Sequence, residues 1–232
     1  LTSFCSPQGR VIATAFVQTW NEAYYLILTT DLIDDLIAWL SRYILRSQVT
    51  ISNEELNIFG ISEDEKKNID ESYSLSSSQC LKRLANDHTR LILLSYDDAE
   101  KFQTIDKEKW IIQDINTGIP IINKHNTLKY IPQMLNLDQL NAISFSKGCY
   151  TGQEVVARVQ HRGKVKQRLY QIKTESGVVI SPQEEVKNLD KKVGHVVISK
   201  THEDVCFGLA AINISQINND LSVDGKSIKL IS

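Results

Sequence analysis

Residues 147–174 read "KGCYTGQEVVARVQHRGKVKQRLYQIKT", and the periodicity of the chain changes within them. Gly148 and Gly152 permit a sharp turn, and Thr151 and Glu154 stand at the S/T-x-x-E spacing of a capping box, so a helix is predicted to begin here. Past Lys164 the side chains alternate as in a strand, which would send Lys164, Lys166 and Arg168 to one face. "KVGHVVIS", "VCFGLAAINI" and "KSIKLIS" continue as β-type runs between Gly, Pro, Asn and Asp turns. The C-terminal part from residue 165 is therefore expected to be a small all-β domain, a barrel.

Toward the N-terminus, "SPQG" at 6–9 supplies a turn, and "RVIATAFVQTW" and "EAYYLILTT" form a hairpin about Asn21 and Glu22. Asp31 can cap a helix in which Leu32, Ile33, Leu36, Ile37, Leu40 and Ile44 recur at three- and four-residue spacing. "QVTIS" and "LNIFGI" are strand candidates, giving a β-β-α-β-β order that suits an antiparallel sheet with a helix on one face. Residues 62–86 turn polar and read as a solvated loop with room for one short helix, in preference to a binding tail. "TRLILLSY" resumes as a strand and "DDAEKFQTI" as a capped helix. Trp110 opens "WIIQDINTGIPII", which Gly118 and Pro120 bring to an end.

The 232 residues are 42% hydrophobic and 23% charged, enough for one large domain or two smaller ones. Runs such as "LILL" at 91–94 are far too short to cross a bilayer, and no cationic leader precedes an apolar segment. A net charge of −2 rules out polyanion binding by bulk charge, so any nucleic-acid contact must come from a local patch. Cys5, Cys80, Cys149 and Cys206 form no C-x-x-C pair, which argues against a zinc site or a disulfide framework and for free thiols in a reducing cytoplasm. His88, His125, His195 and His202 lie apart without metal-ligand spacing.

Cys149 is the candidate nucleophile. A helix N-terminus and a lysine, here Lys147, both favour a thiolate. Spacing alone leaves a second reading open, a small buried hydrophobe, which is the commoner fate of a free cysteine. Arg158, Arg162, Lys164, Lys166 and Arg168 form a basic run around His161 that could hold RNA phosphates or a polyglutamyl tail, or could be a solvated linker. Trp110 could stack on a planar heterocycle, although a tryptophan at the edge of an apolar run more often packs into a core.

"KGCYTGQE" resembles the signature of the YgfZ-type folate-binding proteins, relatives of the glycine-cleavage T-protein. "CSPQGR" at 5–10 is similar to that family's C-x-x-x-G-(K/R) hairpin entry. "GIPII" and "YIPQMLNLDQLNAISFSKGCYTGQEVVAR" follow its pattern nearly without gaps, and "VGHVVIS" with "FGLAAI" resembles its terminal barrel. The resemblance implies an α+β fold of antiparallel sheets with packed helices (residues 1–164, with an N-terminal part missing) and a C-terminal β-barrel (165–232). It implies tetrahydrofolate as ligand, a role supporting iron-sulfur enzymes that modify tRNA, Cys149 and Lys147 as the signature thiol and its lysine, and Trp110 and Arg158 as folate contacts. Asn116 stands where relatives carry a carboxylate, which would weaken the hold on a pterin ring. Two other functions stay open: a folate-dependent aminomethyltransferase, against which the cysteine motif argues, and a module binding RNA or a partner protein through the 158–168 run without catalysis.

Overall fold

The computed structural model describes residues 1–62, 79–84, 87–96 and 105–231. Strand β1 (Thr2–Cys5) pairs with the first half of β2 (Val11–Trp20), whose second half pairs with β3 (Ala23–Ile27). The β2–β3 turn falls at Asn21 and Glu22 as predicted, with φ of 48° and 60°. That is the two-residue geometry whose twist matches the flanking strands. A single 3-10 turn (Thr30–Leu32) then leads into α1 (Ile33–Ser41).

The helix differs from its prediction at both ends. Asp31 does not cap it: the carboxylate instead accepts the Lys124 backbone N–H at 2.8 Å, tying the helix entrance to a distant loop. The helix stops at Ser41, before Ile44, and only Leu32 and Leu36 of the apolar stripe are fully buried. "QVTIS" forms no strand, since β propensity without a paired edge does not make one. The next strand is β4 (Asn57–Ser62), within the second candidate run. β4 pairs with β6 (Asp87–Ser95), and β6 with β5 (Gln79–Leu84), so part of the stretch read as loop is a strand. The helix expected over 97–105 lies, but for Ile105, outside the described residues.

Helix α2 (Lys107–Asn116) begins before Trp110. Asp106 caps it, accepting from the Glu108 and Lys109 N–H groups at 2.8 and 3.3 Å. Its inner face carries Ile112 and Ile115 into a core shared with Val11, Ala13, Leu36, Leu135 and Leu137. Another face, that of Trp110 one turn earlier, buries Asp114, 2.8 Å from the guanidinium of Arg90, a β6 residue with no solvent exposure. Arg90 also donates to the Trp110 carbonyl and to Thr117 Oγ1, and lies 4.5 Å from the Trp110 ring centroid.

Helix α3 (Gln153–His161) leads to a closed six-stranded barrel, as expected for the C-terminal part. Its strands are β7 (Gln167–Thr174), β8 (Glu185–Asn188), β9 (Lys191–His202), β10 (Val205–Asn213), β11 (Leu221–Val223) and β12 (Lys226–Ile231), in the order β10-β7-β12-β11-β8-β9. Alternation sorts the side chains: Val196, Ala210 and Ile212 fill the barrel, while Val197, Leu209 and Ala211 point out into the core of the first part. The barrel is thus packed onto the body through its own outer face. Polar groups fix this joint. Asn126 donates to the Val197 carbonyl, Asn136 brackets the Leu169 backbone, and Arg168 forms a bidentate pair with Asp138 at 2.6 and 2.9 Å.

Removing one partner of a buried ion pair strands the other charge, at about 3–5 kcal/mol. Asp114→Ala is therefore expected to lower the urea unfolding free energy by about that amount, whereas a loss below about 1 kcal/mol would show that Arg90 is satisfied without it.

Candidate functional site

Two backbone approaches build the surroundings of the signature segment. The chain reverses over residues 6–9, with Ser6 N–H donating to the Arg10 carbonyl and Gly9 N–H to that of Ser6. Residues 152–155 lie directly on this turn. A Cβ at Gly152 would sit 2.3 Å from the Ser6 carbonyl oxygen, and one at Gly9 would sit 2.8 Å from Val155 Cβ. Both glycines also have left-handed backbones, with φ of +82° and +69°. "CSPQGR" and "KGCYTGQE", far apart along the chain, are therefore halves of one surface.

Gly152 itself is the helix N-cap, and no side chain caps α3. The predicted box is not formed, because Thr151 turns away to donate to the Tyr43 hydroxyl at 3.3 Å and Glu154 is only the second residue of the helix. Cys149 thus precedes the cap and is exposed, unlike Cys5 and Cys206, which are buried. Lys147 is also exposed, its ammonium 4.8 Å from the Tyr150 ring centroid. Beneath the segment, burial pushes the Cys5 thiol up to about 11, against a Ser3 hydrogen bond and the charge of Lys147 that pull it down. Burial, and then the nearby Cys5 sulfur, raise the Tyr150 phenol as well. Trp39 of α1 and Tyr43 just past its end lie at the rim with ring centroids 5.0 Å apart and planes tilted by 57°. The sequence reading named neither Tyr43 nor Cys5 as site residues. The hairpin-entry motif was the available signal for Cys5, but nothing local marks Tyr43.

Trp110 is held elsewhere. Its six-membered ring lies against the Gly60 backbone, so close that a Cβ there would be 2.2 Å from Cε3, and Arg90 covers it from another side. It packs with Ile92 and Leu94 of β6, and none of the described contacts joins it to Cys149. Arg90 does link it to a pocket of about 220 Å³ lined by Thr117, Gly118, Asn136, Gln139, Leu140 and Gln171 among others. Asn116, exposed beside this pocket, accepts from Gln171 Nε2 through its carbonyl at 2.7 Å.

The basic run divides in two. Arg158, Arg162, Lys164 and Lys166 are exposed, while Arg168 is drawn inward to Asp138 and the Gln133 carbonyl. The expectation that Lys164, Lys166 and Arg168 share one face is thereby corrected: β7 begins only at Gln167, and the Asp138 carboxylate claims Arg168. Among the described residues no helix is long and apolar enough to cross a membrane.

Under native conditions iodoacetamide should label Cys149 while Cys5 and Cys206 react only on unfolding, as read by peptide mass spectrometry. Because the folded Cys5 pKa lies above its ordinary value of 9.0, its contribution to stability is complete below pH ~9 and fades as pH rises toward about 11. Gly152→Ala should lose at least about 1–3 kcal/mol by denaturant titration; an unchanged midpoint would contradict the close approach to Ser6.

No protein-family model matches the chain. Among curated proteins it is 31% identical to the tRNA-modifying protein YgfZ of Hamiltonella defensa over 192 residues, covering 73% of this chain and 57% of that relative. The YgfZ proteins of Buchnera aphidicola and Serratia proteamaculans are 26% and 27% identical, over 92% and 97% of this chain and 71% and 75% of theirs. The chain thus spans little more than half the length of the first of these relatives. Among solved structures, the glycine cleavage system aminomethyltransferase T of Bartonella henselae superposes with a TM-score of 0.69 over 99% of this chain and 73% of its own, at 8% identity, which establishes a shared fold. With the signature segment seated on its hairpin entry and a closed barrel behind it, the chain belongs to the YgfZ-type proteins, built on the fold of the glycine-cleavage T-protein.

Proposed function

We propose that this chain is a tetrahydrofolate-binding accessory protein of the cytoplasm that supports iron-sulfur enzymes and tRNA modification, with Cys149 as its reactive group. The observation that carries this reading is the presentation of Cys149: an exposed thiol beside an exposed lysine, on a segment anchored through Gly152 to the Ser6–Gly9 turn. An anchored backbone holds the sulfur in place without burying it, as a nucleophile requires. The names of the YgfZ relatives support the tRNA connection.

The residues present fit part of a folate. A pocket of about 220 Å³ falls below the roughly 300–1,000 Å³ of whole-ligand sites and suits a single planar ring. Its Asn136 amide is committed to the Leu169 backbone and its Gln171 Nε2 to Asn116, so Gln139 and the Gln171 oxygen are the groups left to meet a ring. Trp110 and Arg158 are proposed contacts for the rest of the molecule. Bound tetrahydrofolate would supply one-carbon chemistry. The protein's part is to hold the ring and to present the thiol.

Alkylation of Cys149 followed against pH, with and without tetrahydrofolate, tests this. The expected result is a reaction midpoint below that of a free thiol and a rate that changes at least severalfold when folate binds. Ordinary thiol behaviour that ignores folate would remove Cys149 from the proposal.

The four exposed cations at 158, 162, 164 and 166 favour a second activity, contact with tRNA phosphates. Neutralising Arg162, Lys164 and Lys166 together should flatten the logarithmic salt dependence of tRNA affinity by about 2–3, near the 0.7–0.9 per phosphate contact of such binding. An affinity indifferent to salt would return the run to a solvated connection.

A further inference from the structure

A second cavity, larger than the pocket beside Thr117, lies apart from both regions above. It is a cleft of about 660 Å³ between the 129–134 segment and the barrel, within the range of small-molecule sites. Lys129, Tyr130 and Met134 line one wall, and Gln167, Gln183, Lys192, His195 and Asn213 line the barrel side.

The cleft is organised around Gln183. This residue holds a left-handed backbone at φ 75°, an arrangement that costs a non-glycine residue about 1 kcal/mol or more. Its N–H donates to the Val196 carbonyl at 2.8 Å, and its own carbonyl lies 3.4 Å from His195 Nδ1. The side-chain oxygen accepts from Lys129 Nζ, while the buried Nε2 faces the Tyr130 hydroxyl and has no well-aligned acceptor among the described residues. A buried amide donor held only by a poorly aligned phenol, at a strained position in a cleft, is free to turn to a better acceptor on a ligand. Burial, then the charge of Lys192, holds the His195 imidazole below its usual pKa, so it faces the cleft as a neutral donor or acceptor.

Charge completes the picture. Among the described residues the ammonium of Lys129 meets a neutral amide and no carboxylate, whereas Lys192 shares its charge with Glu185 at 2.8 Å. Both cations act on His195, so the three groups converge on one region that carries a net positive charge even with Glu185 counted. Asn213 keeps its amide N–H₂ free of the cap it forms, because only its Oδ1 accepts from Ser215. Amide side chains of this kind pair with the donor and acceptor edge of a nucleobase, and two lysines beside a cleft suit a phosphate.

We propose that this cleft binds a nucleoside monophosphate, its phosphate at Lys129 and Lys192 and its base edge toward Gln183, Gln167 and Asn213. The site is separate from the signature segment and from the pocket beside Thr117, and it does not depend on the folate reading.

Isothermal titration of the whole chain with adenosine monophosphate, and with inorganic phosphate alone, tests the proposal. We expect the nucleotide to bind, the affinity to fall at least tenfold in the double variant Lys129→Gln, Lys192→Gln, and phosphate alone to bind more weakly at the same site. Both lysines are exposed, so the variant should keep its melting temperature within a few degrees, and the Gln183→Leu variant provides an independent loss of affinity at preserved charge. Added tetrahydrofolate and the Cys149→Ser variant should leave nucleotide binding unchanged. No binding of either probe at millimolar concentration, an affinity insensitive to the lysine variant, or displacement of the nucleotide by tetrahydrofolate would each overturn it.

Discussion

A guanidinium with no exposure to solvent can persist only if its charge and its donors are met, and one helix and its end supply Arg90 with a counter-charge and two acceptors. Asp114 neutralises it, the Trp110 carbonyl and Thr117 Oγ1 take further donors, and the Trp110 ring lies against it. Such a pair contributes less to net stability than its Coulomb attraction suggests, because both ions were desolvated to make it. What it enforces is registry. Helix α2 can sit on β6 in one rotation and one axial position, and that position sets Trp110 against Gly60 and places Thr117 at the edge of the neighbouring pocket.

The joint between body and barrel follows the same logic with neutral groups. Asn126, Gln133, Asn136 and Asp138 all lie in one irregular segment, where backbone polar groups would otherwise need water. Asn126 and Gln133 are almost wholly buried, and all but Asp138 hydrogen-bond backbone across an interface: Asn126 to Val197, Gln133 to Val156, Asn136 to Leu169. Asp138 instead captures Arg168 from the basic run. One segment thus positions α3, and with it the signature loop, while it also forms a wall of the large cleft. Cys149 and the cleft are supported by a common scaffold at different places along it.

The central ion pair left a signal that the sequence analysis did not use. A lone arginine inside "TRLILLSY" and a lone aspartate inside "WIIQDI" each demand a partner, since an unpaired buried charge is prohibitive. The hairpin at Asn21–Glu22 and the alternation of the barrel strands could be read directly, because turn chemistry and period-two patterning are local. The failures share a cause. Asp31 and Thr151 had the chemistry of caps, yet each found a better partner far away in sequence, the Lys124 N–H and the Tyr43 hydroxyl. "QVTIS" had strand propensity but no edge to pair with.

The sequence by itself determined the kinds of elements, the C-terminal barrel and the family signature, because these rest on spacing, turn residues and contiguous motifs. Tertiary structure alone decided which thiol faces solvent, which arginine leaves the basic run, and that Trp110 and Cys149 stand on separate supports. Exposure and ion pairing are properties of residues brought together across a hundred positions or so (~100) by packing, and no local pattern encodes the far partner.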